Sequence, residues 1–145
     1  MIFRKLLDLQ KVNNTPGAGV ILYKKFSDGY KILILTAVSG VKDIPKGHHD
    51  ASDVNSLRTA QRECFEETQI FFTYSDLLTQ EVYQDENLTI FCAVTKQTPV
   101  ILVNPETQRI EHSAFNWLSP RDAQAVLPTY LEKAVKWSVK FYNDN

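Results

Sequence analysis

The chain has 145 residues, 43% of them hydrophobic and 23% charged, the balance of a globular domain able to bury a core without disulfides or a structural metal. Its formal net charge of −1 supplies no field to hold nucleic acid or an anionic membrane, so neither is an expected partner. Two cysteines, Cys64 and Cys92, are too few for a secreted disulfide scaffold, and each sits in an apolar stretch suited to a buried free thiol.

The opening segment MIFRKLLDLQKVNN carries Arg4, Lys5 and Asp8 and reads as neither a signal peptide nor a membrane span. With no long apolar run elsewhere, a cytoplasmic protein is expected. The absence of repeats or linkers points to one domain over residues 1–145. Residues 18–25 and 30–38 are strand-like runs of Val, Ile, Leu and Tyr, and FSDG joins them as a hairpin. An irregular stretch follows, punctuated by Gly40, Pro45 and Gly47. From about Val54 to Thr68 the period is helical, with Ser52 or Asp53 as candidate cap. The segments IFFTYS (70–75) and TQEVYQ (79–84) read as strands, and residues 87–95 as a clearer one. A loop with Pro99 and Pro105 leads to an extended segment at 113–119. Two helices close the chain, from Pro120 to about Val126 and from about Pro128 to Tyr142; the second buries Leu131, Ala134, Val135, Val139 and Trp137. This order suggests an α/β fold, a sheet packed between helices. Neither GxGxxG nor GxxxxGK[ST] occurs.

The helix at 54–68 carries the chemistry. Leu57, Ala60 and Cys64 form an apolar stripe, and Glu63, Glu66 and Glu67 cluster beside it at spacings of three and four. Exposed like charges at those spacings repel by a few tenths of a kcal/mol per pair (~0.2–0.5). Carboxylate-only ligation suits Mg²⁺, Mn²⁺ or Ca²⁺ rather than zinc. Arg62, four residues before Glu66, can fork onto a carboxylate and fix its rotamer. On the helix alone, a metal-holding edge and a solvated acidic face both remain open.

The wider segment IPKGHHDASDVNSLRTAQRECFEETQI resembles a Nudix box. Gly47 matches its first glycine, and Arg62, Glu63, Cys64, Glu66, Glu67 and Ile70 match its second half. Three departures stand out. The loop from Gly47 to Arg62 is one residue longer than the pattern. Asp53 stands where the first glutamate belongs, and Gln69 replaces the closing glycine, so the helix is expected to end without a left-handed glycine. The resemblance implies a Nudix-type α/β/α sandwich with a mixed sheet, and a hydrolase of a nucleoside diphosphate linked to another group. Within the family, PKGHHD with IEHSAFNWL (110–118) looks most like the asymmetrically cleaving diadenosine tetraphosphate hydrolases, through Glu111, His112, Phe115, Trp117 and Leu118.

The roles implied are Mg²⁺ or Mn²⁺ held by Glu63, Glu66, Glu67 and the Gly47 carbonyl, with Arg62 as brace. Glu111 is a candidate further ligand or general base. Lys46 and His48 are candidate phosphate contacts, and Tyr83 a candidate platform for adenine. Phe91, Phe115 and Trp117 read as core, and His48, His49 and His112 as polar loop residues rather than zinc ligands. A small-molecule nucleotide is the expected partner. Capped RNA, ADP-ribose, a diphosphoinositol polyphosphate and a nucleoside triphosphate are alternative substrates, and a binding module without hydrolysis is the reading from another class.

Overall fold

Gly17–Phe26 is buried on both faces for most of its length, and this follows from its apolar run: it is the central strand of a mixed sheet. The structure, a computed structural model, describes residues 2–5, 15–102 and 111–143. Pro105 and Ile110 of the expected segments lie outside them, as does most of the N-terminal stretch.

The strands are β1 (Ile2–Lys5), β2 (Gly17–Phe26), β3 (Gly29–Ala37), β4 (Lys42–Asp43), β5 (Lys46–His48), β6 (Glu81–Gln84), β7 (Leu88–Val94) and β8 (His112–Leu118). The helices are α1 (Ser56–Thr68), α2 (Pro120–Val126) and α3 (Thr129–Asn143). The sheet runs β1-β6-β7-β2-β3-β4, with β5 pairing β2 and β8 pairing β3. β2 and β7 are parallel, from Gly17 opposite Leu88 to Tyr23 opposite Val94, and the other pairs are antiparallel.

Alternation along β2 sorts its side chains between two cores. Ala18, Val20 and Leu22 pack with Ala60 and Cys64 of α1, while Ile21 and Tyr23 pack with Leu131, Ala134 and Val135 of α3. The architecture is an α/β/α sandwich. Both cysteines are buried and free. Phe91 is core, and Phe115 and Trp117 are partly buried against the α1 side. Val139 is only half-buried. No helix among the described residues is long and apolar enough to cross a membrane.

Three expectations change. Residues 70–75 are not a strand: Ile70 and Phe72 are buried and Phe71 is exposed, which imitates strand alternation, but side-chain amides serve this backbone. Gln61 Nε2 donates to the Phe72 carbonyl at 3.0 Å and Gln97 Nε2 to the Phe71 carbonyl at 3.2 Å, before a 3₁₀ turn at Tyr74–Asp76. Strand β1, where the sequence suggested no element, pairs with distant β6. The cap of α1 is Asn55, whose side chain accepts from the Arg58 N–H at 2.9 Å, rather than Ser52 or Asp53.

The end of α1 keeps its left-handed turn without glycine. Gln69 has φ 62° and ψ 13°, its N–H reaches the Phe65 carbonyl at 2.8 Å, and its Nε2 reaches the same oxygen at 3.0 Å. A side chain in this region costs about 1 kcal/mol relative to glycine. Gln69→Gly is therefore expected to stabilise the fold by about 1 kcal/mol, read as a rise of roughly 3 °C in thermal unfolding; an unchanged or lower Tm would contradict it.

Candidate functional site

Arg62 joins the turn to the helix. Its Nε and Nη2 reach the Asp53 carboxylate at 3.1 and 2.9 Å, and Nη2 also donates to the His48 carbonyl at 2.8 Å. Its Nη1 meets Glu63 at 2.9 Å and Glu66 at 3.2 Å. Asp53 is buried and also accepts from the Asp50 N–H at 3.0 Å and the Thr59 hydroxyl at 2.9 Å. Burial alone would raise the Asp53 carboxyl, but these hydrogen bonds, from Arg62 above all, outweigh it and hold it at about 2. The shorter aspartate thus reaches Arg62 within the lengthened loop.

Gly47 admits the helix at close range: a methyl group there would overlap the Glu63 carboxylate. The requirement is space, and alanine would push the carboxylate away. One turn on, Glu67 Oε1 accepts from the Lys46 N–H at 3.0 Å, so the strand fixes a second carboxylate of the same helix. Burial, then the neighbouring Glu66 charge, pushes Glu63 up to about 7. Burial, with the Glu63 charge adding to it, pushes Glu67 up to about 9 even against the Lys46 hydrogen bond. Carboxylates raised in this way would be stabilised as anions by a further positive charge, and their oxygen donors fit a hard divalent cation.

β5 also borders a cleft of about 530 Å³, lined by Pro16, Gly17, Lys46, Gly47, His48, Asp85, Asn87, Leu88 and Tyr130. Burial works against the Lys46 ammonium, but Asp43, 3.3 Å away, and then Tyr130 hold it above its ordinary value. Asp85 Oδ1 accepts from the N–H groups of Asn87 at 2.7 Å and Leu88 at 2.8 Å, forming the tight turn that places Asn87 at the cleft.

Tyr83, expected as a base platform, is elsewhere. It is 8% exposed, its ring centroid 6.0 Å from that of Trp137 in the α3-side core, and it leaves no face for a base. The aromatic at the cleft is Tyr130, 42% exposed. Its signal in the sequence is an aromatic on the polar side of an amphipathic helix, in the first turn.

A second, much smaller cavity of about 10 Å³ lies between Glu66, Glu67, Ile101, Leu102, Glu111 and His112. Donor atoms of Glu67, Glu111 and His112 lie within 4.8 Å of one another. His112, read from the sequence as a polar loop residue, is the first residue of β8 and only 7% exposed. Burial lowers its pKa, so the ring is neutral at neutral pH. Glu111 precedes β8 and is exposed, and His48 of β5 is exposed as well. The site thus brings together Lys46, Gly47, His48, Arg62, Glu63, Glu66, Glu67 and Glu111, and excludes Tyr83.

Residues 13–143 match the family model described as NUDIX domain. No curated protein sequence matches the chain. Among solved structures, a Caenorhabditis elegans Ap4A hydrolase binary complex is 19% identical, with 89% of this chain and 98% of that one covered and a TM-score of 0.65. The Escherichia coli dihydroneopterin triphosphate pyrophosphohydrolase is 16% identical over 89% and 99% of the two chains, TM-score 0.61. The NUDIX domain of Shewanella oneidensis NrtR, complexed with ADP ribose, is 14% identical over 88% and 90%, TM-score 0.62. With its box residues gathered on one turn and one helix and the family model spanning nearly its whole length, the chain belongs to the NUDIX family of hydrolases.

Proposed function

We propose that the chain is a Mg²⁺- or Mn²⁺-dependent pyrophosphohydrolase of nucleoside-diphosphate-linked substrates, dinucleoside polyphosphates such as diadenosine tetraphosphate first among them. The observation that carries the reading is the position of the 530 Å³ cleft, with Lys46, Gly47 and His48 in its wall and the Glu63 carboxylate against Gly47. A cleft of this volume takes one nucleoside moiety and presents its phosphates to the acidic edge. The likeness to an Ap4A hydrolase along nearly all of that chain supports the substrate class.

In this reading Glu63, Glu66, Glu67 and the Gly47 carbonyl hold the ion. Bound there, it offsets phosphoryl charge and lowers the pKa of a bound water. Arg62 fixes the rotamers of Glu63 and Glu66, and the Lys46 amide fixes Glu67. The Lys46 ammonium and His48 meet phosphate, and Tyr130 offers the ring that Tyr83 does not. Glu111, beside Glu67 and open to solvent, takes the proton of the attacking water. The enzyme works as one domain over residues 1–145, and its buried free thiols suit the reducing cytoplasm.

A panel of diadenosine polyphosphates, ADP-ribose, NADH, nucleoside triphosphates and capped RNA, each with Mg²⁺ or Mn²⁺, tests the reading. Diadenosine tetraphosphate should yield ATP and AMP. Absence of metal-dependent turnover across the panel would sink the enzyme reading, and preference for another member would move the substrate.

A further inference from the structure

We infer that Asn87 is the residue that selects the nucleobase, and that the base it selects is adenine. The inference rests on the proposal that the 530 Å³ cleft takes a nucleoside moiety, and adds which edge of the base is read. Asn87 lies in the turn between β6 and β7, and both of its backbone groups are committed. Its N–H donates to Asp85 Oδ1 at 2.7 Å, and its carbonyl accepts from the Gly17 N–H at 2.9 Å. The Asp85 N–H closes the same turn on the Leu88 carbonyl at 3.0 Å. The side chain differs: exposed in the wall of the cleft, its amide makes no hydrogen bond to another described residue. An unpaired amide on a backbone held from both sides is preorganised, so a ligand that meets it leaves little ordering to be done.

The chemistry of the wall chooses the base. Stacking on Tyr130 adds affinity without choosing, because every base has a π-face. An asparagine amide sets one acceptor beside one donor, and adenine answers with its N6 amine beside N7. Asp85, also in the wall, adds only acceptor oxygens, which suit the second hydrogen of that amine. Guanine carries O6 where adenine carries the amine, so the same edge would turn two acceptors toward a carboxylate. The side chains that pair with such an edge are arginine and lysine. Among the lining residues only Lys46 is of this kind, and Asp43 holds its ammonium at 3.3 Å.

Titration calorimetry of the full chain with Mg²⁺ present tests this with ADP, GDP and the diphosphate of purine riboside, which is ADP without the N6 amine. ADP is expected to bind about tenfold more tightly than either of the others. Asn87→Leu should weaken ADP about tenfold and bring the probes within about threefold of one another, since the backbone bonds to Asp85 and Gly17 survive the substitution. Equal binding of ADP and purine riboside diphosphate by the unsubstituted chain, tighter binding of GDP, or an undiminished ADP preference in Asn87→Leu would overturn the inference. So would a uniform loss across the probes in Asn87→Leu, which would assign the side chain to the turn alone. Each of these outcomes leaves the hydrolase reading intact. Failure of every probe to bind would remove the nucleoside cleft beneath the inference as well.

Discussion

Glu67→Gln is expected to lower metal-dependent turnover by about three orders of magnitude, or ~4 kcal/mol of transition-state stabilisation. The substitution isolates charge from shape. A glutamine oxygen can still accept the Lys46 N–H that Glu67 accepts at 3.0 Å, so the Pro45–Lys46–Gly47 turn stays docked on α1. What disappears is one of the anionic donors proposed to hold the ion. Stability should not fall, because the carboxyl removed is one that burial already disfavours as an anion. Steady-state rates with Mg²⁺, together with thermal unfolding of the metal-free protein, check both halves. A near-wild-type rate would move the metal away from Glu67.

Arg62→Ala is the second large effect, and it falls on folding as well as on catalysis. Removing the guanidinium leaves the Asp53 carboxylate, whose side chain is 5% exposed, without its cation, and frees the His48 carbonyl from Nη2. Breaking a buried pair from one side costs roughly 3–5 kcal/mol, and the partial exposure of Arg62, 27%, argues for the lower end. The expected loss is about 3 kcal/mol, a fall in Tm of roughly 8 °C. Adding Asp53→Ala should then cost little more, and a double-mutant cycle should give a coupling energy of about 1–3 kcal/mol. Additive losses would show that the two side chains act independently. The pair also sets the acid limb of stability. The folded Asp53 carboxyl, at about 2, lies below its ordinary 3.8, so its contribution is present above pH 3.8 and is lost as pH falls toward 2.

The central strands were legible because β2 and β3 are apolar runs on either side of a short turn. The acidic edge was legible because Glu63, Glu66 and Glu67 repeat at helical spacing after a Pro-Lys-Gly turn. Long-range pairing hid the rest. β1 exists because Ile2 lies opposite Gln84 across the sheet, a relation that no local pattern carries. Residues 70–75 alternate like a strand, yet Gln61 and Gln97 supply their hydrogen bonds from other segments. The cleft collects Pro16, Lys46, Asn87 and Tyr130 from four parts of the chain, so Tyr130 had no motif to announce it. His112 looks polar and local in sequence, and its burial follows from the pairing of β8 with β3. Phe65, 45% exposed, has no role that the packing explains.

Proton release on Mg²⁺ binding tests the central claim most directly, because that claim is a half-buried carboxylate pair that binds a divalent cation. Glu63 at about 7 and Glu67 at about 9 lie above the ordinary 4.5, so the metal-free fold binds more protons than the unfolded chain from pH 4.5 up to about 9. Its stability should therefore decline as pH rises through that window, and Mg²⁺ should oppose the decline. Titration calorimetry in buffers of different ionisation enthalpy counts the protons displaced. The account predicts about two per ion at pH 6, where both carboxyls are largely protonated, and about one at pH 8, where Glu67 alone is. Mg²⁺ binding with no proton release at either pH, or no Mg²⁺ binding at all, would contradict it.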